Sequence, residues 1–215
     1  RFYRRLTLWY SKLGLARFFG HLEMANIFQR ALRRAGIAVE YSHGYHPKPR
    51  ISFGDPLPVG VESECEYLIV STDVGIQPGR VVDRINPQLP PGLKIKACTT
   101  SGTELAEGGR RIDTYRVRSL SAELDPARIE RFKAAGDWMM EKRSSKGRVR
   151  SVNLKETVAA VEAVAADVVR MELRAGPQGG VRAAEAVRQV FGLSERTLKT
   201  LRIRKTATRP DPQAG

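Results

Sequence analysis

Residues 21–36 read HLEMANIFQRALRRAG. Apolar side chains at Leu22, Ala25, Phe28, Ala31, Leu32 and Ala35 recur at spacings of three and four, and Gly36 stands where helices commonly stop, so the stretch predicts an amphipathic helix. Glu23, Asn26, Arg30, Arg33 and Arg34 fall on the opposite stripe. Upstream, FYRRLTLWY has the aromatic and β-branched content of a strand, and LARFFG after Gly14 reads as its continuation or partner. Downstream, IAVEYS reads as a short strand and VESECEYLIVST as a longer one whose apolar side chains become continuous toward its end. A helix bracketed by Pro78 and Asn86-Pro87, then the strand GLKIKAC, complete the series. Strand, helix, strand, strand, helix, strand is the split βαβ plan of a ferredoxin-like unit.

The second half repeats the plan. RIDTYRVRSL reads as a strand, DPARIERFKAAG as a helix capped by Asp125 with Pro126 in its first position, and DWMMEKR as a strand. In TVAAVEAVAADVVRMELRAG the valines favour two antiparallel strands around Ala165–Asp167 over the helix that its alanines would support. VRAAEAVRQVFG is a helix closing at Gly192, and TLKTLRIRKT is the last strand. SGTELAEGG, residues 101–109, is polar and without periodicity, as suits a linker. The expected fold class is therefore α+β: two ferredoxin-like (βαββαβ) units with antiparallel sheets, at residues 1–100 and 110–209, with a disordered tail at 210–215.

The chain has 215 residues, 41% hydrophobic and 28% charged, the balance of a globular protein rather than a disordered or fibrous one. No apolar run approaches the ~20 residues that cross a bilayer, and RFYRRLTLWYSKLG lacks the features of a secretory signal, so the expected compartment is the cytoplasm, with no membrane partner. The sequence begins on Arg1 rather than Met, which reads as an excised or trimmed chain. Cys65 and Cys98 stand too far apart for a CxxC pair, and both read as small hydrophobes on strands. The formal charge of +14 is the strongest compositional signal, and it points to a polyanion such as RNA, DNA or anionic lipid.

Two of the three histidines lie in SHGYHPKPRISFGDPLP. Pro47, Pro49, Pro56 and Pro58 stiffen this loop, so it loses little entropy on binding. It is expected to display Tyr45, His46, Lys48, Arg50 and Phe53, a mixture of stacking faces and cations suited to single-stranded nucleic acid. His21 stands at a helix start, where the dipole disfavours an imidazolium, and with His46 it is a candidate catalytic acid–base. His21, His43 and His46 show no metalloenzyme spacing, so no metal site is expected. Glu62, Glu64 and Glu66 alternate onto one strand face and are expected either to pair with the arginines of the first helix or to form a carboxylate site. Two further basic segments add to the helix stripe: TLKTLRIRKTATR, and the hairpin tip EKRSSKGRVR with Lys142, Arg143, Lys146, Arg148 and Arg150.

GLARFFGHLEM, FQRALRRAGIAVEYSHGYHPKPRISFGDPLPVGVESECEYL and INPQLPPGLKI closely resemble the radical SAM-linked protein family, a bacterial domain found beside, or fused to, cobalamin-type radical SAM proteins. GRVRSVNLKE, LRAGPQGGVRAAEAV and LRIRKT extend the resemblance along most of the chain; Glu23 stands where the family's GHLD motif has Asp. The resemblance implies a radical SAM partner that holds the iron–sulfur cluster and SAM, since this chain lacks CxxxCxxC. The favoured expectation is an RNA-binding module, not catalytic by itself, that presents RNA to such a partner for modification. The alternatives are an RNA-processing or RNA-modifying enzyme using His21 or His46, and a protein-docking subunit of a radical SAM enzyme. Paired ferredoxin-like units also resemble the scaffolds of pseudouridine synthases and CRISPR repeat endoribonucleases, an analogy of fold alone.

Overall fold

In the first strand, β1 (Tyr3–Lys12), strand alternation puts Leu6, Leu8, Tyr10 and Lys12 on one buried face. The computed structural model describes residues 2–100, 109–143, 147, 149–176 and 180–212. After Lys12 the chain leaves the sheet. Leu13 donates its N–H to the Gly92 carbonyl at 2.8 Å and Ala16 turns back onto the Leu13 carbonyl, so Gly14–Phe18 is a 3-10 turn and not the strand expected of LARFFG.

Helix α1 (His21–Arg34) buries Met24, Phe28, Ala31 and Leu32. Leu22, expected on that stripe, is exposed instead. Six residues from Phe28 is a rotation of about 600°, which leaves Leu22 about 120° off the buried line that Met24 joins. Past α1 the chain bridges the sheet at Val39↔Thr72, its own two arms bridge at Tyr41↔Pro49, and the ladder proper is the three-residue β2 (Ile51–Phe53). The strand expected at IAVEYS thus shrinks to bridges. The backbone leaves the sheet at Ser42, and Pro47 and Pro49 offer no N–H to hold it there.

The unit continues with β3 (Glu62–Asp73), α2 (Pro78–Ile85), a 3-10 turn at Asn86–Gln88 and β4 (Leu93–Thr99). Asn86 ties that turn to β4, accepting from the Ile95 N–H at 2.8 Å and donating to the Ile95 carbonyl at 3.0 Å. Within Arg1–Glu107 the strands lie in the order β4-β1-β3, with β2 on β3, and every pair is antiparallel. Met24, Phe28 and Leu32 of α1 and Val81 and Ile85 of α2 pack with Leu6, Leu8, Leu68, Val70 and Ile95 into one core. Each such side chain contributes on the order of 2 kcal/mol by its burial.

The unit Gly108–Gly215 contains β5 (Arg111–Ser119), α3 (Pro126–Ala134), β6 (Met139–Arg143), β7 (Val149–Asn153), the single turn α4 (Leu154–Thr157), β8 (Val158–Ala165), β9 (Val168–Ala175), α5 (Ala183–Phe191), α6 (Glu195–Leu198) and β10 (Leu201–Pro210). Its sheet runs β10-β5-β9-β8, again antiparallel throughout. Asp125 caps α3 by accepting from the Ala127 N–H at 2.9 Å, and α5 closes on Gly192 in the left-handed region, φ +65°. Two expectations shift. β6, the DWMMEKR strand, pairs with β7 as a separate hairpin rather than in the main sheet, and TLKT is the end of α6, held by Ser194 accepting from the Thr197 N–H, so β10 begins at Leu201.

The protein is thus a mixed α+β structure with antiparallel sheets. Of the expected linker, residues 101–108 lie outside the described residues, as do 213–215 of the expected tail. β10 runs through Pro210, and buried Asp211 donates its N–H to the Arg110 carbonyl at 3.0 Å. Among the described residues no helix is long and apolar enough to cross a membrane.

Candidate nucleic-acid interface

The Pro-rich segment forms a protruding hairpin tip. Arg50 N–H donates to the Glu40 carbonyl at 2.8 Å and Ser42 N–H to the Lys48 carbonyl at 2.8 Å, while Ser42 Oγ accepts from the Lys48 N–H at 3.0 Å. These bonds close the base and leave residues 43–48 exposed, with Tyr45 at 101% relative accessibility. His43, His46 and Lys48 stand out with it. Arg50 is exposed but pairs with Glu40 at 3.3 Å. Phe53 departs from its expected display: it is half-buried, 5.8 Å from the Phe28 ring, because β2 places it on the core side of the sheet.

The arginines of α1 part into two settings. Arg33 borders a hollow shared with Tyr41 and Pro49 at the base of the hairpin tip. Arg30 and Arg34 line a groove of about 730 Å³ between α1 and residues 87–90, where Arg34 Nη2 donates to the Gln88 carbonyl at 2.6 Å. In the other unit, half-buried Lys142 donates to the Gly180 carbonyl and exposed Arg150 borders a hollow with Arg110 and Arg174. The Arg143 side chain, Lys146 and Arg148 lie outside the described residues. In β10 much of the charge serves the sheet: Lys205 pairs with Asp113 at 3.3 Å and Arg209 with Glu172 at 2.9 Å.

His21 is exposed at the first position of α1, its ring edge-on to Phe53 at 5.5 Å. It rims a small cleft whose floor holds Tyr10, Lys12 and Glu66, with Gly54–Leu57 across the top. The sequence reading missed Lys12, Tyr10 and Ser63, and it put Glu66 on one strand face with Glu62 and Glu64. Lys12 could have been found, since it continues the inward series Leu6, Leu8, Tyr10. The inward turn of Glu66 could not.

Strand alternation puts Glu66 with Glu62 and Glu64, but β3 carries a bulge: Tyr10 faces Glu66 and Lys12 faces Ser63, so Glu64 and Cys65 together oppose Ser11. The extra residue reverses the phase and turns Glu66 inward, where its Oε1 accepts from Ser63 Oγ at 2.8 Å. The bulged carbonyl of Glu64 accepts from Lys96 Nζ at 3.1 Å. Glu62 stays outward, accepting from the Gly14 N–H at 2.8 Å and lying 3.7 Å from Arg17, so its arginine comes from the 3-10 turn and not from α1 as expected.

Lys12 is 3% exposed and donates to the Phe19 carbonyl at 2.7 Å. Burial pulls its amine below the ordinary lysine range, while the carboxylates of Glu66 and Glu23 pull the other way. Burial, helped by Glu66, also holds the Tyr10 hydroxyl protonated far above its usual range. Half-buried Cys98 has its thiol pushed up to about 11 by burial. Among the described residues no three His, Cys, Asp or Glu side chains converge as metal ligands. The cleft can move or hold protons among a lysine, a carboxylate and a phenol, and the hairpin tip can stack and contact phosphate.

Residues 5–183 match a family described as "Uncharacterized protein conserved in bacteria (DUF2344)". A search of curated proteins finds no match. Among solved structures, a chain of the "Crystal Structure of a Cbf5-Nop10-Gar1 Complex" is similar over 94% of this chain and 48% of that one, at 10% identity and a TM-score of 0.48. The present chain spans about half the length of that chain, and the likeness is too slight to carry an argument.

Proposed function

The chain belongs to a bacterial family whose description leaves its activity open, and we propose that it is an RNA-binding module, a role its geometry supports, which presents RNA for modification to the radical SAM partner that the resemblance of its sequence implies. One observation carries this reading: a hairpin tip, closed by main-chain bonds, holds Tyr45 fully exposed beside His46 and Lys48, with Arg33 at its base. A flat ring next to cations on a stiff support is what stacking on an unpaired base requires. The charge of +14 supplies the long-range attraction for phosphate. In this reading the protein works in the cytoplasm, and the iron–sulfur cluster and SAM belong to the partner. The matching strand orders, β4-β1-β3-β2 and β10-β5-β9-β8, support two ferredoxin-like units, the second with the β6–β7 hairpin inserted.

Binding of single-stranded oligoribonucleotides, measured by anisotropy from 50 to 300 mM salt, tests it. Affinity should fall with salt at a log–log slope of roughly −2 to −3, at about −0.7 per phosphate contacted. Tyr45→Ala should weaken binding about tenfold, since base stacking is worth ~1–3 kcal/mol. Salt-independent binding, or an unchanged Tyr45→Ala affinity, would sink the reading.

The enzyme alternative has its own support, since His21 rims the cleft floored by Lys12 and Glu66. RNA turnover by the isolated chain that His21→Ala abolishes, with affinity retained, would favour it.

A further inference from the structure

The groove along α1 differs in kind from the hairpin tip. Phe19, Ile27 and Leu89 form its apolar part, Pro87 and Pro90 one wall, and Glu23, Asn26, Arg30 and Arg34 the polar groups on the helix. Its volume of about 730 Å³ is that of a small-ligand site, which usually measures ~300–1,000 Å³. Its chemistry is graded along the helix. Asn26 and Arg34 lie eight residues apart, about 12 Å along the axis. At one end Asn26 has its amide unengaged among the described residues, beside Glu23, whose Oε2 accepts the Gly20 N–H at 2.7 Å. Midway to the other end Arg30 has no carboxylate partner among the described residues, and at that end the Gln88 carbonyl steadies Arg34.

We infer that this groove binds a nucleoside phosphate, with the base over Phe19, Ile27 and Leu89, its edge toward Asn26 and Glu23, and its phosphate on Arg30 and Arg34. The inference deepens the RNA reading and rests on it in one respect: the nucleotide that enters is an unpaired residue of the bound RNA. A ligand with a flat, hydrogen-bonding apolar end and a compact anionic end fits this gradient. An acidic peptide fits it less well, because Pro87 and Pro90 carry no N–H donors and, among the described residues, no strand edge lines the groove to add a ladder. The C-terminal end of a helix carries about half a negative charge, which opposes an anion, but two full guanidinium charges outweigh it.

The test titrates the full chain with 5′-AMP, with a single-stranded oligoribonucleotide and with an oligoglutamate peptide, following the Asn26 side-chain amide and the Ile27 and Leu89 methyls by NMR. Both nucleotide ligands should shift these signals, and Arg30→Ala should weaken both at least fivefold while its thermal unfolding stays that of the wild type. Asn26→Ala should weaken AMP binding about threefold. Shifts with AMP but none with the oligonucleotide would keep the nucleotide site and overturn its RNA source. Absence of AMP shifts, stronger binding of the peptide, or an Arg30→Ala variant that binds AMP as the wild type does would overturn the inference. Loss of oligonucleotide affinity on Tyr45→Ala alone, with the groove silent, would leave the presenting role standing and remove the groove from it.

Discussion

Lys12 is the residue whose environment is least ordinary. Its amine lies on the core side of β1, bonded to one carbonyl and within the electrostatic reach of Glu66, so it cannot be trimmed without leaving a buried carboxylate short of a neighbouring cation. Lys12→Ala should lower stability by about 2 kcal/mol at pH 7 in urea denaturation, the usual penalty for stranding a buried polar group. The pH dependence has a definite sign. The folded amine titrates below the unfolded value of 10.5, so between the two the unfolded chain holds the extra proton and stability rises with pH. The wild-type margin over Lys12→Ala should therefore widen between pH 7 and pH 10; a narrowing margin would mean that the carboxylates, not burial, dominate.

The hairpin tip is an element whose fold and chemistry are separable. Main-chain bonds between residues 40 and 50 and between 42 and 48 hold it, and residues 43–47 leave the core untouched. Replacing residues 43–47 with Asn-Gly, a pair that favours a tight two-residue turn, should keep the melting temperature within a few degrees and reduce oligoribonucleotide affinity at least tenfold. A large drop in melting temperature would place the tip in the structural framework instead. This element also shows what the sequence could reveal. Prolines, glycines and exposed aromatics marked the loop, and the 3.6-residue spacing marked α1, because both signals are local. The inward turn of Glu66 was hidden, since it depends on one unpaired residue opposite Ser11 in another strand. Phe53 was hidden likewise: only the pairing of β2 with Leu68 to Val70 decides which way its ring points.

At the level of the molecule, the family match stops at residue 183, yet the sheet of the second unit does not. β10 flanks β5 along its length, from Leu201 opposite Ser119 to Pro210 opposite Arg111, and brings Lys205 to the buried Asp113. Truncation after Thr200 should expose one edge of β5, take Lys205 and Thr208 from that carboxylate while Arg111 stays 3.3 Å from it, and abolish hydrogen-exchange protection across β5. Retained protection there would show that the sheet is complete without β10. Both neighbours of β5 come later in the chain, β9 after the β6–β7 hairpin and β10 after α6. During translation, at roughly 5–20 residues per second, β5 therefore leaves the ribosome with both edges bare and stays so for several seconds. Bare strand edges invite aggregation, so a chaperone would find a target there.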